Sequence, residues 1–253
     1  MRKAKFSDPN NLCVYCGERP ATSRDHVIGK QFFPKDQRDG LPLVASCDAC
    51  NSAMSQHEDY VRLLVVGACD HPMVEQMRQT ELASALKIDL GLRKLSQRML
   101  HRRPVLLPSG LIMPMCLTMD IYWDRLGIVL DNIVRGLYYL RTNARLPKDC
   151  EFHHDKCDSR GRIALAKKIV DGWSAAGLQE VQSPVFTYRF AVSDEDTVVT
   201  AWLLSFYDQI HFWVATTPPG FQQRTGTSEL NSEPLDHFLA VHSRFRCYLS
   251  ESK

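Results

Sequence analysis

The sequence predicts an α+β chain with a small metal-stapled module at its N-terminus, a helical middle and a small antiparallel sheet beyond it. Three observations predict this order. Two CxxC pairs, Cys13-Val-Tyr-Cys16 and Cys47-Asp-Ala-Cys50, bracket the first part of the chain. Apolar residues then recur at helical spacing, and after about residue 183 the period falls to two. Residues 1–67 are read as the stapled module and 68–253 as a helical plus β-meander domain with a regulatory or partner-binding role. A chain of 253 residues, 44% hydrophobic, has enough apolar surface for a substantial core.

Residues 1 to about 60 are rich in Cys, Pro, Gly and charge, with only short apolar runs. From there "NSAMSQHEDYVRLLVVGA" carries an apolar stripe closed by Gly67. "PMVEQMRQTELASALKIDLGLRKLSQRMLHRR" follows as a second helical stretch with Pro72 in its first turn. "MDIYWDRLGIVLDNIVRGLYYLRTN" is a third, with Leu126, Val129, Leu130, Ile133, Val134, Leu137 and Tyr138 on one face. "GRIALAKKIVDGWSAAG" is a fourth, ending on Gly177. "PVFTYRFAV", "TVVTAWLLSFY" and "IHFWVATT" are β-branched and aromatic and predict an antiparallel meander. The tail "PLDHFLAVHSRFRCYL" is ambiguous, with a last helix as one reading.

A net charge of +2 and a pI near 8.1 neither demand nor exclude nucleic acid, because local patches outweigh the total. No apolar run has membrane-spanning length, and "MRKAKFSDPNNLC" lacks the apolar centre of a signal peptide, which predicts a soluble cytoplasmic protein without membrane attachment. Of nine cysteines, four lie in the two pairs. Cys69, Cys116, Cys150, Cys157 and Cys247 are scattered, as reduced cytosolic thiols are.

Each CxxC is a tight turn that brings two sulfurs to one ion. Together Cys13, Cys16, Cys47 and Cys50 supply a complete tetrahedral shell for Zn²⁺, and a closed shell is structural. The interval between the pairs exceeds the usual ribbon gap and must hold structure of its own. Any chemistry then belongs to that insert, where Asp25-His26 follows a polar "TSR" and precedes Val27-Ile28, and to Asn51, directly after the last cysteine at the start of a helix.

The order Cys-x2-Cys, Asp-His, Cys-x2-Cys-Asn resembles the HNH endonuclease family, a ββα fold round a metal, over residues 13 to about 60. The resemblance implies that Asp25 and Asn51 hold Mg²⁺ or Mn²⁺ through oxygen atoms, and that His26 is the general base toward water attacking a DNA phosphodiester. Adjacent strand residues point to opposite faces, so Asp25 and His26 serve one phosphate only where the strand ends or bends. Two positions depart from the family. Pro42 stands where a middle Asn organises the loop bearing the base, and Ser55 where some members have a ligating His. His57, six residues after Asn51, falls about 240° round the helix and is read as surface.

Lys30, Lys35, Arg38 and Arg24 are the candidate phosphate contacts around the insert. Arg93, Lys94, Arg98, Arg102 and Arg103 form a second basic run, equally well a solvated helix face. Cys150, His153, His154 and Cys157 in "CEFHHDKC" have ligand spacing but are read as a chance string. Trp202, Phe206, Phe212 and Trp213 are read as sheet core, and Arg135 as an ion-paired or surface charge. By analogy with HNH effectors of antiviral defence systems, a sensor or ATPase partner, or a homo-oligomer, is expected. The competing reading is a non-catalytic zinc-stapled module that binds nucleic acid or protein.

Overall fold

The computed structural model describes residues 11–220 apart from 108, 158, 174–178, 182 and 195, so the ambiguous tail and Cys247 lie outside the described residues. The architecture is α+β. Strands β1 (Ser23–His26) and β2 (Leu43–Ser46) form an antiparallel ribbon in which Asp25 faces Val44 and His26 faces Leu43. Helix α1 (Asp48–Ala68) follows directly, with Cys47 as its N-cap residue. Thr22, just before β1, supplies the cap that the Cys47 side chain does not: its Oγ1 accepts from the Asp48 N–H at 3.1 Å and donates to Asp48 Oδ1 at 2.8 Å. The first half of α1 is amphipathic, whereas Tyr60 to Val66 are all buried. The helix enters the module as a surface element and leaves it as a core element.

The second helical stretch departs from expectation. Residues 72–88 form α2 (Pro72–Met77), a π turn and α3 (Ala83–Ile88). Asp89 then restarts the chain as α4 (Leu90–Met99), its Oδ1 accepting the Leu92 N–H at 3.0 Å. The helix does not continue to Arg103: β3 (Leu100–Leu106) begins there and pairs with β4 (Ile112–Met119). Pro104 explains the change, because it lacks an N–H and biases its predecessor toward extended backbone. The ladder slips register at the same point, between Arg103 and Val105. The hairpin leaves Leu106, Ile112, Met115 and Leu117 exposed.

Helix α5 (Trp123–Thr142) ends on Asn143 in left-handed conformation, φ 55°. The polar string "EFHHDK", not anticipated as a strand, is β5 (Glu151–Lys156), and α6 (Arg160–Trp173) follows. The predicted meander is present as β7 (Phe186–Val192), β8 (Thr200–Phe206) and β9 (Ile210–Thr217), with the short β6 (Gln179–Glu180) at one edge. The sheet order is β5-β9-β8-β7-β6, antiparallel throughout.

Alternation sorts the sheet into two faces. Phe186, Tyr188, Trp202, Leu204, Phe206, Phe212 and Val214 join one buried cluster with α1, α5 and the cysteine module. Ala191, Ala201, Leu203, Trp213 and Ala215 pack against Ala166, Ile169 and Val170 of α6. The aromatic residues read as sheet core are core. The boundary drawn at residues 67 and 68 falls at the end of α1, and the larger cluster runs across it. Among the described residues no helix is long and apolar enough to cross a membrane.

Candidate functional site

The sulfurs of Cys13, Cys16, Cys47 and Cys50 all lie within 4.8 Å of one another. A tetrahedral ion about 2.3 Å from each sulfur sets them roughly 3.8 Å apart, so the cluster has the size and chemistry of a structural zinc shell. The first pair is shaped as a knuckle. Gly17, at φ 67°, turns the chain so that its N–H reaches the Cys13 carbonyl at 2.9 Å. Burial pushes the Cys16 thiol up, but the N–H groups of Arg19 and Glu18 aimed at its sulfur outweigh that and bring it down to about 7. Cys13 and Cys50 are held above the ordinary thiol range, chiefly by burial. One cation would be shared by all four sulfurs of such a set.

The knuckle is bonded to the insert as well as to its own sulfurs. Val14 N–H donates to Ala45 of β2 at 2.9 Å. The buried Tyr15, between the two cysteines, donates its hydroxyl to the Asp25 carboxylate. Asp25 is half-buried, and burial pushes its carboxyl up against the opposing pull of the His26 N–H and that hydroxyl. No lysine or arginine forms an ion pair with it among the described residues. His26 is the last residue of β1, so the strand ends at the Asp-His pair. Burial, with Lys30 nearby, holds its imidazole below the ordinary value, and its buried Nδ1 has no hydrogen-bond partner. Val27 N–H then bonds the Pro42 carbonyl at 3.0 Å. The backbone of Pro42 thereby fastens the segment bearing His26, a task for which the side chain of Pro42 offers nothing.

Asn51 lies half-buried in the first turn of α1, and its side-chain amide makes no hydrogen bond among the described residues. Seven residues on, two helical turns along the same face, stands Glu58. It accepts from Gln31 Nε2 at 2.6 Å. Burial pushes its carboxyl up to about 7, partly offset by Gln31, with the charges of Asp25 and Asp59 adding to the rise. A Cβ on Gly29 would stand 2.8 Å from Glu58 Oε1 and 2.9 Å from Gln31 Nε2, so the turn after His26 is pressed directly against this helix. Glu58, Gln31 and Tyr15 are the neighbours that sequence reasoning missed. The two-turn spacing from Asn51 could have found Glu58; nothing in the sequence marks Gln31.

Lys30, Lys35 and Arg24 are exposed around the insert. Arg38 is half-buried and spends its Nε on the Phe33 carbonyl at 2.9 Å. His57 is not plain helix surface: it is half-buried near Arg125 of α5, and burial lowers its imidazole. The second basic run is divided. Arg93 caps the carbonyls of Leu86 and Lys87 at 2.8 and 2.6 Å, while Arg103 pairs at 2.6 Å with Asp120, the residue after β4. In "CEFHHDKC" the two cysteines enter different buried clusters. His153 meets Thr217 at 2.9 Å and His154 meets Asp131 at 2.5 Å, so the four candidate ligands on and beside β5 each have other surroundings. Among the described residues Arg135 has no ion pair, and it is not a free surface charge: it donates to the carbonyls of Leu146, Pro147 and Lys148 at 3.0 to 3.2 Å.

No protein-family model, curated protein or solved structure matches the chain.

Proposed function

We propose that the chain is a metal-dependent endonuclease of HNH type that hydrolyses DNA phosphodiester bonds. One observation carries the reading: a strand ending in Asp25-His26 and a helix with Asn51 in its first turn belong to one four-cysteine unit. His26 acts as general base. An imidazole held neutral near pH 7 by burial and by Lys30 is suited to take a proton from water, and its strand-terminal position leaves it free to face a ligand. Asp25 offers carboxylate oxygens and Asn51 an amide oxygen, the donors that Mg²⁺ and Mn²⁺ prefer, and Asp25 lacks a cationic partner of its own. Such an ion supplies positive charge toward the phosphate and the departing 3′ oxygen. Lys30, Lys35 and Arg24 provide backbone contacts whose affinity falls with salt. Zinc on the four cysteines folds the unit and takes no part in the chemistry.

A second reading is kept because Pro42 stands at the middle-Asn position: a zinc-stapled module that binds nucleic acid or protein without cutting. The test is incubation of the full chain with supercoiled and linear DNA in Mg²⁺ or Mn²⁺, beside EDTA controls and His26→Ala. Cleavage by wild type, abolished by EDTA and reduced at least about 100-fold by His26→Ala, is expected, the size of a lost general base. Equal inertness of wild type and His26→Ala in every metal would leave the binding module as the better description.

A further inference from the structure

Helix α6 lies along one face of the five-stranded sheet, and that face carries three rows across β7, β8 and β9. They are Ala191–Ala201–Ala215, Arg189–Leu203–Trp213 and Thr187–Ser205–His211. The alanine row packs under the helix, Ala191, Ala201 and Ala215 joining Ala166, Ile169 and Val170 in one buried cluster. At the other end the row is polar, and between it and the first two turns of α6 opens a cavity of about 420 Å³. Cavities of roughly 300–1,000 Å³ are the size that small-molecule ligands fill.

The lining is unlike a gap left by poor packing. Thr187 and Ser205 are 3% and 7% exposed, so the floor is a row of buried hydroxyls, which is unfavourable unless polar groups meet it. Ser205 Oγ is hydrogen-bonded to His211 Nδ1 at 2.8 Å, which fixes the imidazole in the wall. On the helix side stand Arg160 and Lys167, seven residues apart on one face, with Ile163 and Ala164 between them as an apolar wall. Neither cation has a carboxylate partner among the described residues. Arg189 reaches in from the middle row. It pairs with Asp171 at 2.6 Å, yet its buried Nε has no partner. Asp208, exposed beside the opening, is the one carboxylate in the lining.

We propose that this cavity is a binding site for a small phosphorylated molecule of the nucleoside-monophosphate kind. Arg160, Lys167 and Arg189 hold its phosphate, the Ile163–Ala164 wall covers its apolar part, and Asp208 accepts from its hydroxyls. Three convergent cations give charge-assisted hydrogen bonds to a phosphate, and the planar guanidinium groups orient it. The site is on the sheet face opposite the cluster shared with the cysteine unit, so it stands independently of the nuclease reading.

The test is calorimetric titration of the full, zinc-loaded chain with AMP, inorganic phosphate, adenosine and a short single-stranded oligonucleotide. Saturable binding of AMP or phosphate is expected, with adenosine at least about tenfold weaker. The double change Arg160→Ala and Lys167→Ala is expected to weaken that binding at least about tenfold, roughly 1.4 kcal/mol. Both residues are exposed, so folding is preserved, and Lys168→Ala, exposed on the same helix but outside the lining, serves as the charge control with little effect. Absence of saturable binding overturns the proposal. So does adenosine binding as tightly as AMP, binding of the oligonucleotide alone, or indifference to the double change.

Discussion

A carboxylate that loses water without gaining a cation is held toward its protonated form, and Glu58 is in that position. Its one hydrogen-bonding partner in the described structure is the neutral Gln31, while Asp25 and Asp59 add negative charge nearby. The folded value of about 7 lies above the ordinary 4.5, so the fold binds the proton more tightly than the unfolded chain does. The sign follows: stability from this group is fully present below pH 4.5 and is lost as pH rises through 7. Glu58→Gln keeps an acceptor for Gln31 and removes the charge. It is expected to be more stable than wild type at pH 8 by on the order of 1–3 kcal/mol, with the gap closing toward pH 5. Denaturant unfolding of both proteins at the two pH values checks this, and a gap of equal size at both would refute the assignment. At this scale Asp25, His26 and Asn51 stand out in the sequence by their order alone, and the fold places the first two at the end of β1 and the third in the first turn of α1. Glu58 shows in the sequence only by its two-turn spacing from Asn51; its burial depends on Gly29 and Gln31 folding back onto α1, a contact between residues some thirty positions apart.

Elements that advertise their own backbone preference were legible. β7, β8 and β9 alternate aromatic and β-branched residues, and α5 carries a clean apolar stripe. β5 and β3 were not. "EFHHDK" has no apolar period because it lies at a sheet edge, half-buried on both faces, and "LHRRPVL" follows a helix without a loop. The contact of α5 with the segment after His26 was hidden for another reason: it depends on a missing side chain. A Cβ on Gly136 would fall 2.7 Å from Val27 Cγ1 and 2.8 Å from its Cγ2. Glycine in mid-helix costs roughly 1 kcal/mol relative to alanine, so its presence here marks the close approach of α5 to the residue after His26. Gly136→Ala is therefore expected to destabilise by about 1–3 kcal/mol through overpacking, despite its better helix propensity. On the proposed nuclease reading cleavage falls with it, because Val27 is the neighbour of His26 in the chain. Val27→Ala introduced beside Gly136→Ala is expected to recover part of the loss, a double-mutant coupling of about 1 kcal/mol or more. Additive losses in unfolding experiments would show that the two residues do not meet.

At the scale of the whole molecule, the cysteine unit and the rest share one core. The buried cluster that contains Cys13, Val27, Phe32 and Val44 also contains Leu126, Leu130, Trp202 and Phe206, without a break between them. Tyr207 Oη donates to the Phe32 carbonyl at 2.6 Å across 175 positions of sequence. Arg145 reaches the Leu12 carbonyl at 2.8 Å in the same way. Zinc held by the four cysteines would supply folding free energy to the unit, but the buried stretch of α1, Tyr60 to Val66, finds its cover on α5 and the sheet. A polypeptide of residues 1–67 is thus left with a helix end that is apolar but for Arg62, and no partner for it. Its expected behaviour, with zinc present, is aggregation or a loose state lacking dispersed amide signals. The full chain is expected to unfold in one transition whose midpoint falls when zinc is chelated, because loss of the staple reaches the sheet through the common core. The checks are NMR dispersion of the 1–67 polypeptide and calorimetry of the full chain with and without chelator. A soluble, well-dispersed 1–67 polypeptide, or two separate transitions of which only one responds to chelator, would mean that the two regions fold independently and that the shared core contributes little to either.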